Sequence, residues 1–515
     1  MKRTLVGVLL LSLLHASEAS VAAQQIPFLS ELFSRNEEFN RLYTQKKKAG
    51  ANLAAIEPLR KRAEEAFKRG NIPAILEIIA EAQAMLTGKK WDERQKFIDS
   101  LTLEVDRLVI EPNQMLQVSL TRMFPSSVDK AVSSEPTVTF TILPRVEAST
   151  GDAQPARLLT EPLPIAERLK IAETSSNATR KVRLPDGTYD VVALIESGGQ
   201  KIVEIKRPVY AISDFSDSIA QMSRTVAAIK NSTDAQVKAV ASLVTTPEFQ
   251  LQRLAQLNKT AGEAELNPNR ELDRIEAELS ALKAGKNPFA DERGELERAY
   301  QAPDGKLVPY RIYVPKSYDG SSSRPLVVML HGALGDERSY FSGLFDPELI
   351  KGEAERRGII LAGVNARGRF GNYTGASQQD VFDVTGVVTR SYKVDPARTY
   401  LFGHSIGGFG VWLVASAKPD VFAALAALSG GPPAQGDALT ALLAKLKGVP
   451  AMIVHGAQDG IIPIQLSRNM AEAAKKAGVK VNYLEVPDGD HLSVVASTFP
   501  SILDFFEKNP KFAVQ

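Results

Sequence analysis

Gly403-His404-Ser405-Ile406-Gly407-Gly408 is the stretch that decides how this chain folds. Thr399-Tyr400-Leu401-Phe402 before it is a short apolar run, and residues 409–417 after it are apolar and helix-compatible. A serine flanked by glycines at two-residue spacing, between a strand and a helix, fits the turn called a nucleophile elbow. Glycine on both sides lets the backbone turn sharply and keeps Cβ atoms clear of the neighbouring strand and helix. The serine hydroxyl then projects from a strained backbone. A bare Gly-x-Ser-x-Gly arises by chance in about one chain in ten of this length, so its surroundings must decide.

Working outward, apolar runs at 310–315, 326–330, 359–364, 399–402, 424–428, 451–454 and 481–486 alternate with longer helix-compatible stretches. Near-continuous apolar strands separated by helices are what a mostly parallel sheet covered on both faces requires. The pattern predicts an α/β domain over residues 300–515.

A nucleophilic serine needs a base, a group that orients the base, and donors for the oxyanion. With only five histidines in the chain, elimination identifies the base. His15 lies in the N-terminal leader. His331 and His455 each precede a glycine after an apolar run and read as turn supports. His404 adjoins Ser405 and reads as pointing away from it. His491, in Asp488-Gly489-Asp490-His491 past the last apolar run, remains as general base. The acid falls between them in the order Ser, Asp, His. Asp459, just beyond the run ending at Val454, can accept from the imidazole Nδ1–H. Asp488 and Asp490 are too close to His491 in sequence to align it easily. Upstream, Val327-Val328-Met329-Leu330 runs into His331-Gly332-Ala333-Leu334-Gly335, a strand followed by a glycine turn. The N–H of Ala333 or of Leu334 would join that of Ile406 as the oxyanion hole, and sequence leaves the choice between them open. Residues 365–374, with Arg367, Arg369 and Tyr373, follow a strand on the same edge and read as a solvated loop, contact with a substrate carbonyl or acid being the other reading.

The preceding chain has a different texture. Residues 24–110 carry helical periodicity (Ile56, Leu59, Ala63, Phe67; then Ile75, Ile78, Ile79, Ala82), with Gly70-Asn71 and Pro73 marking one helix stop and the next start. Residues 111–212 alternate as strands do, at 117–120, 137–142, 182–184, 189–195 and 202–205, with turns at Pro185-Asp186-Gly187 and Ser197-Gly198-Gly199. They predict a small β-sandwich, and Tyr189 is either a tyrosine-corner residue or an ordinary strand aromatic. Residues 213–299 return to helical spacing as a connecting segment, interrupted at Asn267-Pro268-Asn269 and Asn287-Pro288.

At 515 residues with 44% hydrophobic and 24% charged residues, the chain has the composition of a multidomain globular protein. A formal net charge of +2 gives no support to a nucleic-acid partner or an anionic membrane. Lys2 and Arg3, an apolar stretch at 5–14 and Val21-Ala22-Ala23 predict a signal peptide over 1–23, cleaved near Ala23. That stretch is too short to span a bilayer, and no later run reaches the length of a membrane helix. The chain has no cysteine, which excludes disulfides and thiolate sites. A bacterial periplasmic or secreted protein is the expectation.

With these residues in place, 300–512 resembles the α/β-hydrolase superfamily. More narrowly it resembles secreted bacterial esterases of the predicted-peptidase, polyhydroxybutyrate-depolymerase and feruloyl-esterase type. The matching stretches are 310–315, 330–335, 380–388, Val394-Asp395-Pro396-Ala397-Arg398-Thr399-Tyr400, 403–408, 455–463 and Asp490-His491. Some members of that family carry an Ig-like domain ahead of the catalytic one, as 111–212 would be. The resemblance implies a Ser405–His491–Asp459 carboxylesterase acting through an acyl-enzyme on a small-molecule or polymer-linked ester, with no metal or cofactor. The depolymerases often carry cysteines near the oxyanion turn, and this chain has none. Two other readings are a prolyl-oligopeptidase-like serine peptidase and a non-catalytic binding protein with a degenerate hydrolase domain. The first needs repeated four-stranded blades that 24–299 do not show; the second sits badly with a complete set of motifs.

Overall fold

A computed structural model describes residues 28–145, 161–171, 175–259, 266–342, 345–369 and 371–511. The leader expected over 1–23 lies outside the described residues. The chain divides into two compact units: Phe28–Arg35 with Ala51–Pro288, and Asn36–Gly50 with Phe289 onward.

In the first unit, local signals set the helix ends. Gly70 takes φ 63° after the helix Glu57–Lys68, and Asn71 then caps Ile72–Leu86, its Oδ1 accepting from Ala74 N–H at 3.1 Å. Asn267, read in the sequence as an interruption, is likewise an N-cap, with Pro268 as first residue of the helix Pro268–Lys283. The strands are β1 (Leu101–Val105), β2 (Val109–Ile110), β3 (Met115–Arg122), β4 (Thr137–Pro144), β5 (Leu163–Lys170), β6 (Ser175–Lys181), β7 (Gly187–Ser197) and β8 (Gln200–Ala211). They form one sheet in the order β1-β3-β6 and another in the order β2-β8-β7-β4-β5. Leu103, Val118 and Leu120 of the first sheet share a core with Phe140, Val191 and Ile195 of the second. Strands thus begin at residue 101, inside the stretch expected to be helical, and 182–184 pair with no strand. Tyr189 is fully buried and donates its hydroxyl to the Pro185 carbonyl at 2.8 Å. A second core gathers Phe215, Ile229, Leu254, Ile275 and Leu282 from the helices that follow.

The second unit is built on β9 (Gly294–Gln301), β10 (Leu307–Val314), β11 (Arg324–Leu330), β12 (Ile360–Val364), β13 (Val394–His404), β14 (Leu425–Leu428), β15 (Pro450–Gly456) and β16 (Lys480–Val486). Their order is β16-β15-β14-β13-β11-β12-β10-β9. The pairs from β16 through β12 are parallel, and β10 runs antiparallel to both its neighbours. Alternate residues feed two cores, Val328, Leu330, Leu401 and Ile453 on one face against Val327, Met329, Phe402 and Val454 on the other. Both faces are covered, which explains why these strands read as continuous apolar runs. The strand β9 begins at Gly294, so the sheet starts ahead of the boundary expected at 300. Chain order reverses at β11, with β12 on one side and β13 on the other. In open α/β sheets the crevice at such a switch, beyond the carboxyl ends of the strands, is where ligands bind.

Candidate active site

The elbow occupies that switch. Ser405 links β13 to the helix Ile406–Ala417 with φ 56° and ψ −118°, a left-handed conformation disfavoured for a residue with a Cβ. It is held from three sides. Ser405 N–H donates to the Leu428 carbonyl at 2.9 Å, and its own carbonyl accepts from Phe409 N–H at 3.1 Å. A Cβ on Gly407 would overlap the Leu330 carbonyl oxygen, and one on Gly403 would overlap the Gly407 carbonyl. The flanking glycines are therefore a packing requirement: they let helix and strand approach to backbone contact.

The three residues nominated from sequence meet here. His491 Nε2 lies 3.0 Å from Ser405 Oγ, and His491 Nδ1–H donates to Asp459 Oδ2 at 2.8 Å. Ser405 is 6% exposed and His491 5%, so the pair is largely shielded from water. Asp459 Oδ1 accepts from Ile461 N–H at 2.9 Å and Ile462 N–H at 2.8 Å. Burial alone would favour the neutral acid, but hydrogen bonds from His455 and His491 outweigh it and hold Asp459 well below the usual carboxylate range. Asp490, one of its sequence rivals, is instead committed to the chain after it, accepting from Leu492 and Ser493 N–H.

The glycine turn stands beside Ser405: a Cβ on Gly332 would come within 3.1 Å of Ser405 Cβ. Leu334, left open as a donor, takes φ 65° and gives its N–H to the Arg369 carbonyl at 2.6 Å. That bond spends the Leu334 donor and leaves Ala333 as the candidate on this turn. Ile406 N–H is the first of a helix, a position without an intrahelical acceptor and at the positive end of the dipole.

Several residues that brace this geometry were misjudged or missed in the sequence. His404 does not turn away from the site. Its Nε2–H donates to the His491 carbonyl at 2.6 Å, and the two rings stand 4.7 Å apart. Residues 365–374 are not a merely solvated loop. Tyr373 is fully buried and donates to the His331 carbonyl at 3.0 Å, while Arg369 Nη1 donates to the Leu334 carbonyl at 3.1 Å. Arg367 forks onto buried Asp380, which also accepts from Tyr300. His331 sits with ring nitrogens 2.8 Å from the Gly332 carbonyl oxygen and 2.9 Å from that of Asn365, and Tyr340 donates to the Leu330 carbonyl at 2.8 Å. Strain gathers at the same edge. Leu334, Ala366, Arg367, Tyr373, Ser405 and Ser429, all with positive φ, follow the carboxyl ends of β11, β12, β13 and β14.

His404 has a measurable signature. Burial, and then the nearby His491, push it down to about 3 from the ordinary 6.5. Between those values the unfolded chain takes up a proton that the folded chain refuses, so stability falls as pH drops below about 6.5. The loss reaches about 2 kcal/mol by pH 5. His404→Gln keeps an N–H donor and cannot titrate, so its unfolding midpoint should fall less between pH 7 and pH 5 than that of wild type. Parallel curves for the two proteins would refute this account.

No family model matches the chain. It is 28% identical over 187 residues to the sn-1-specific diacylglycerol lipase ABHD11 of Mus musculus, covering 34% of this chain and 57% of that protein. It is 30% identical over 130 residues to feruloyl esterase B of Neurospora crassa, covering 23% of this chain and 42% of the relative. The chain thus spans about half the length of the curated relatives it matches. Among solved structures it is similar to FphF, fluorophosphonate-binding serine hydrolase F of Staphylococcus aureus. That match has a TM-score of 0.35 and 17% identity, and covers 42% of this chain and 99% of FphF. The two curated relatives are named as a lipase and as a feruloyl esterase. Among the described residues no helix is long and apolar enough to cross a membrane.

Proposed function

We propose that the protein is a serine carboxylesterase that transfers an acyl group to water through Ser405. The observation that carries this reading is the line from Ser405 Oγ through His491 to Asp459, at 3.0 Å and 2.8 Å, on the carboxyl edge of the sheet. His491 Nε2 takes the Ser405 proton as Oγ attacks the ester carbonyl, and Asp459 holds the imidazole in the Nδ1–H tautomer and stabilises the cation that forms. Ala333 and Ile406 N–H groups receive the oxyanion. His491 then passes its proton to the departing alcohol. Water, deprotonated by the same imidazole, attacks the acyl-enzyme and releases the acid and free Ser405.

The ester is a small molecule or a polymer-linked group; the curated relatives, named as a lipase and a feruloyl esterase, favour an ester over a peptide bond. In this reading the two sheets that begin at Leu101 form an Ig-like accessory domain, and residues 1–23 a leader that exports the enzyme. Incubation with a fluorophosphonate probe tests the core of the proposal. Wild type should label stoichiometrically on Ser405 and lose turnover of p-nitrophenyl butyrate in step. A folded wild-type protein that neither labels nor turns over the ester would refute it.

A further inference from the structure

His455, next to last in β15, is 0% exposed, and the acyl-transfer steps above do not use it. Its Nε2 lies 3.1 Å from Asp459 Oδ2 and 3.0 Å from the Ile462 carbonyl oxygen. Both oxygens can only accept, so Nε2 carries a proton. Its Nδ1 lies 2.7 Å from Ser467 Oγ, which stands 2.8 Å from the Gly430 carbonyl oxygen. Gly430 packs under the nucleophile helix, where an added Cβ would come within 2.9 Å of the Gly408 carbonyl carbon and 3.1 Å of Phe409 N.

These contacts converge on Asp459. Its Oδ2 receives the His491 N–H and faces the His455 Nε2–H, which it shares with the Ile462 carbonyl, while Oδ1 receives two backbone N–H groups. A carboxylate with all four positions filled cannot rotate without breaking bonds in a site closed to water, where replacements are costly. On the far side stands Ser467, whose one hydroxyl proton serves either Nδ1 or the Gly430 carbonyl on the backbone that supports Ser405.

We propose that His455 is a positioning residue for the Ser405 site: its Nε2–H fixes the Asp459 oxygen that orients His491, and Ser467 ties that arrangement to the Gly430 backbone. The inference rests on the reading of Ser405 as nucleophile. A histidine that only filled space would be replaceable by an apolar side chain of similar size. One that donates to Asp459 is replaceable only by a side chain that keeps the donor. Glutamine places an amide N–H near the Nε2 position and leucine places none.

The test compares wild type with His455→Leu, His455→Gln, Ser467→Ala and Ser405→Ala on p-nitrophenyl butyrate, with thermal unfolding of each. Leucine should lower kcat about 10- to 100-fold, the range for lost outer-sphere orienting partners, with KM within about twofold. Glutamine should restore most of that loss. Ser467→Ala should lower kcat by about two- to tenfold, the worth of one hydrogen bond. Wild-type kcat in the leucine variant, or equal losses in the leucine and glutamine variants at equal midpoints, overturns the proposal. If the leucine variant does not fold, Ser467→Ala decides, and an unchanged kcat there overturns it. Ser405→Ala separates the two levels. If it alone is inactive, only the role of His455 falls; if it matches wild type, the nucleophile assignment fails and the role of His455 fails with it.

Discussion

If the proposed function holds, Ser405→Ala lowers kcat/KM for p-nitrophenyl butyrate by about 10⁴-fold or more, the scale at which a triad nucleophile is lost in serine hydrolases. Without Oγ no acyl-enzyme forms, and only the backbone donors of Ala333 and Ile406 remain to polarise the ester. The fold should hardly notice. Alanine at φ 56° is strained for the same reason as serine, because either Cβ crowds the following carbonyl. The unfolding midpoint should therefore stay within about 2 °C of wild type. Ser405→Gly makes the complementary case. It is equally inactive but relieves the left-handed strain, and should be more stable than Ser405→Ala by about 1 kcal/mol. A glycine variant that melts below the alanine variant would show that the elbow stores no such strain.

Gly407→Ala should damage both chemistry and fold. Its Cβ would overlap the Leu330 carbonyl oxygen and come within 2.8 Å of the His331 carbonyl oxygen, so the nucleophile helix must back away from β11. These are backbone atoms and cannot yield by rotating a side chain. The displacement carries Ser405 and Ile406 away from the Gly332–Ala333 turn. A misplacement of about 1 Å in an acyl-transfer site lowers turnover by about 100-fold. Lost packing between helix and sheet should also lower the unfolding midpoint by several degrees. Gly436→Ala is the control: φ 56° there is unfavourable, but nothing lies within 4 Å of the added Cβ. It should therefore cost stability and spare turnover. Near-wild-type kcat in Gly407→Ala would refute the close-packing account.

The parts of this architecture legible in sequence are those set by local chemistry. The central strands β11 to β15 are apolar on both faces and announce themselves. Asn71 marks a helix start because a cap acts within three residues, whereas Asn267, a cap of the same kind, read only as an interruption. The edge strand β9 stayed hidden because three of its first five residues, Glu295, Glu297 and Arg298, are charged. Its Glu295 pairs with Arg311 and Lys351, and Arg298 pairs with Glu292, so charge there satisfies an edge and not a helix face. The nominated serine, aspartate and histidine were readable because chain order and a short supply of histidine constrain them. The contacts of His404 were not, because its partner, the His491 carbonyl, lies 87 residues along the chain; His455 read as a turn support, since nothing in the sequence says that its ring faces Asp459 four residues on. Leu334 lost its place as donor for the same reason, to a carbonyl 35 residues away.

Six residues with left-handed backbones, ringing the carboxyl ends of four adjacent strands, also set the terms on which this protein can be engineered. Glycine at such positions relieves the strain of a positive φ, against a smaller cost in unfolded-chain entropy. Here those positions frame the nucleophile, its neighbouring turn and the loop that braces both. Selection for heat tolerance alone would be drawn to them and would trade turnover for shelf life. A library meant to keep activity should hold Leu334, Ala366, Arg367, Tyr373, Ser405 and Ser429 fixed and seek its gains at the opposite end of the sheet.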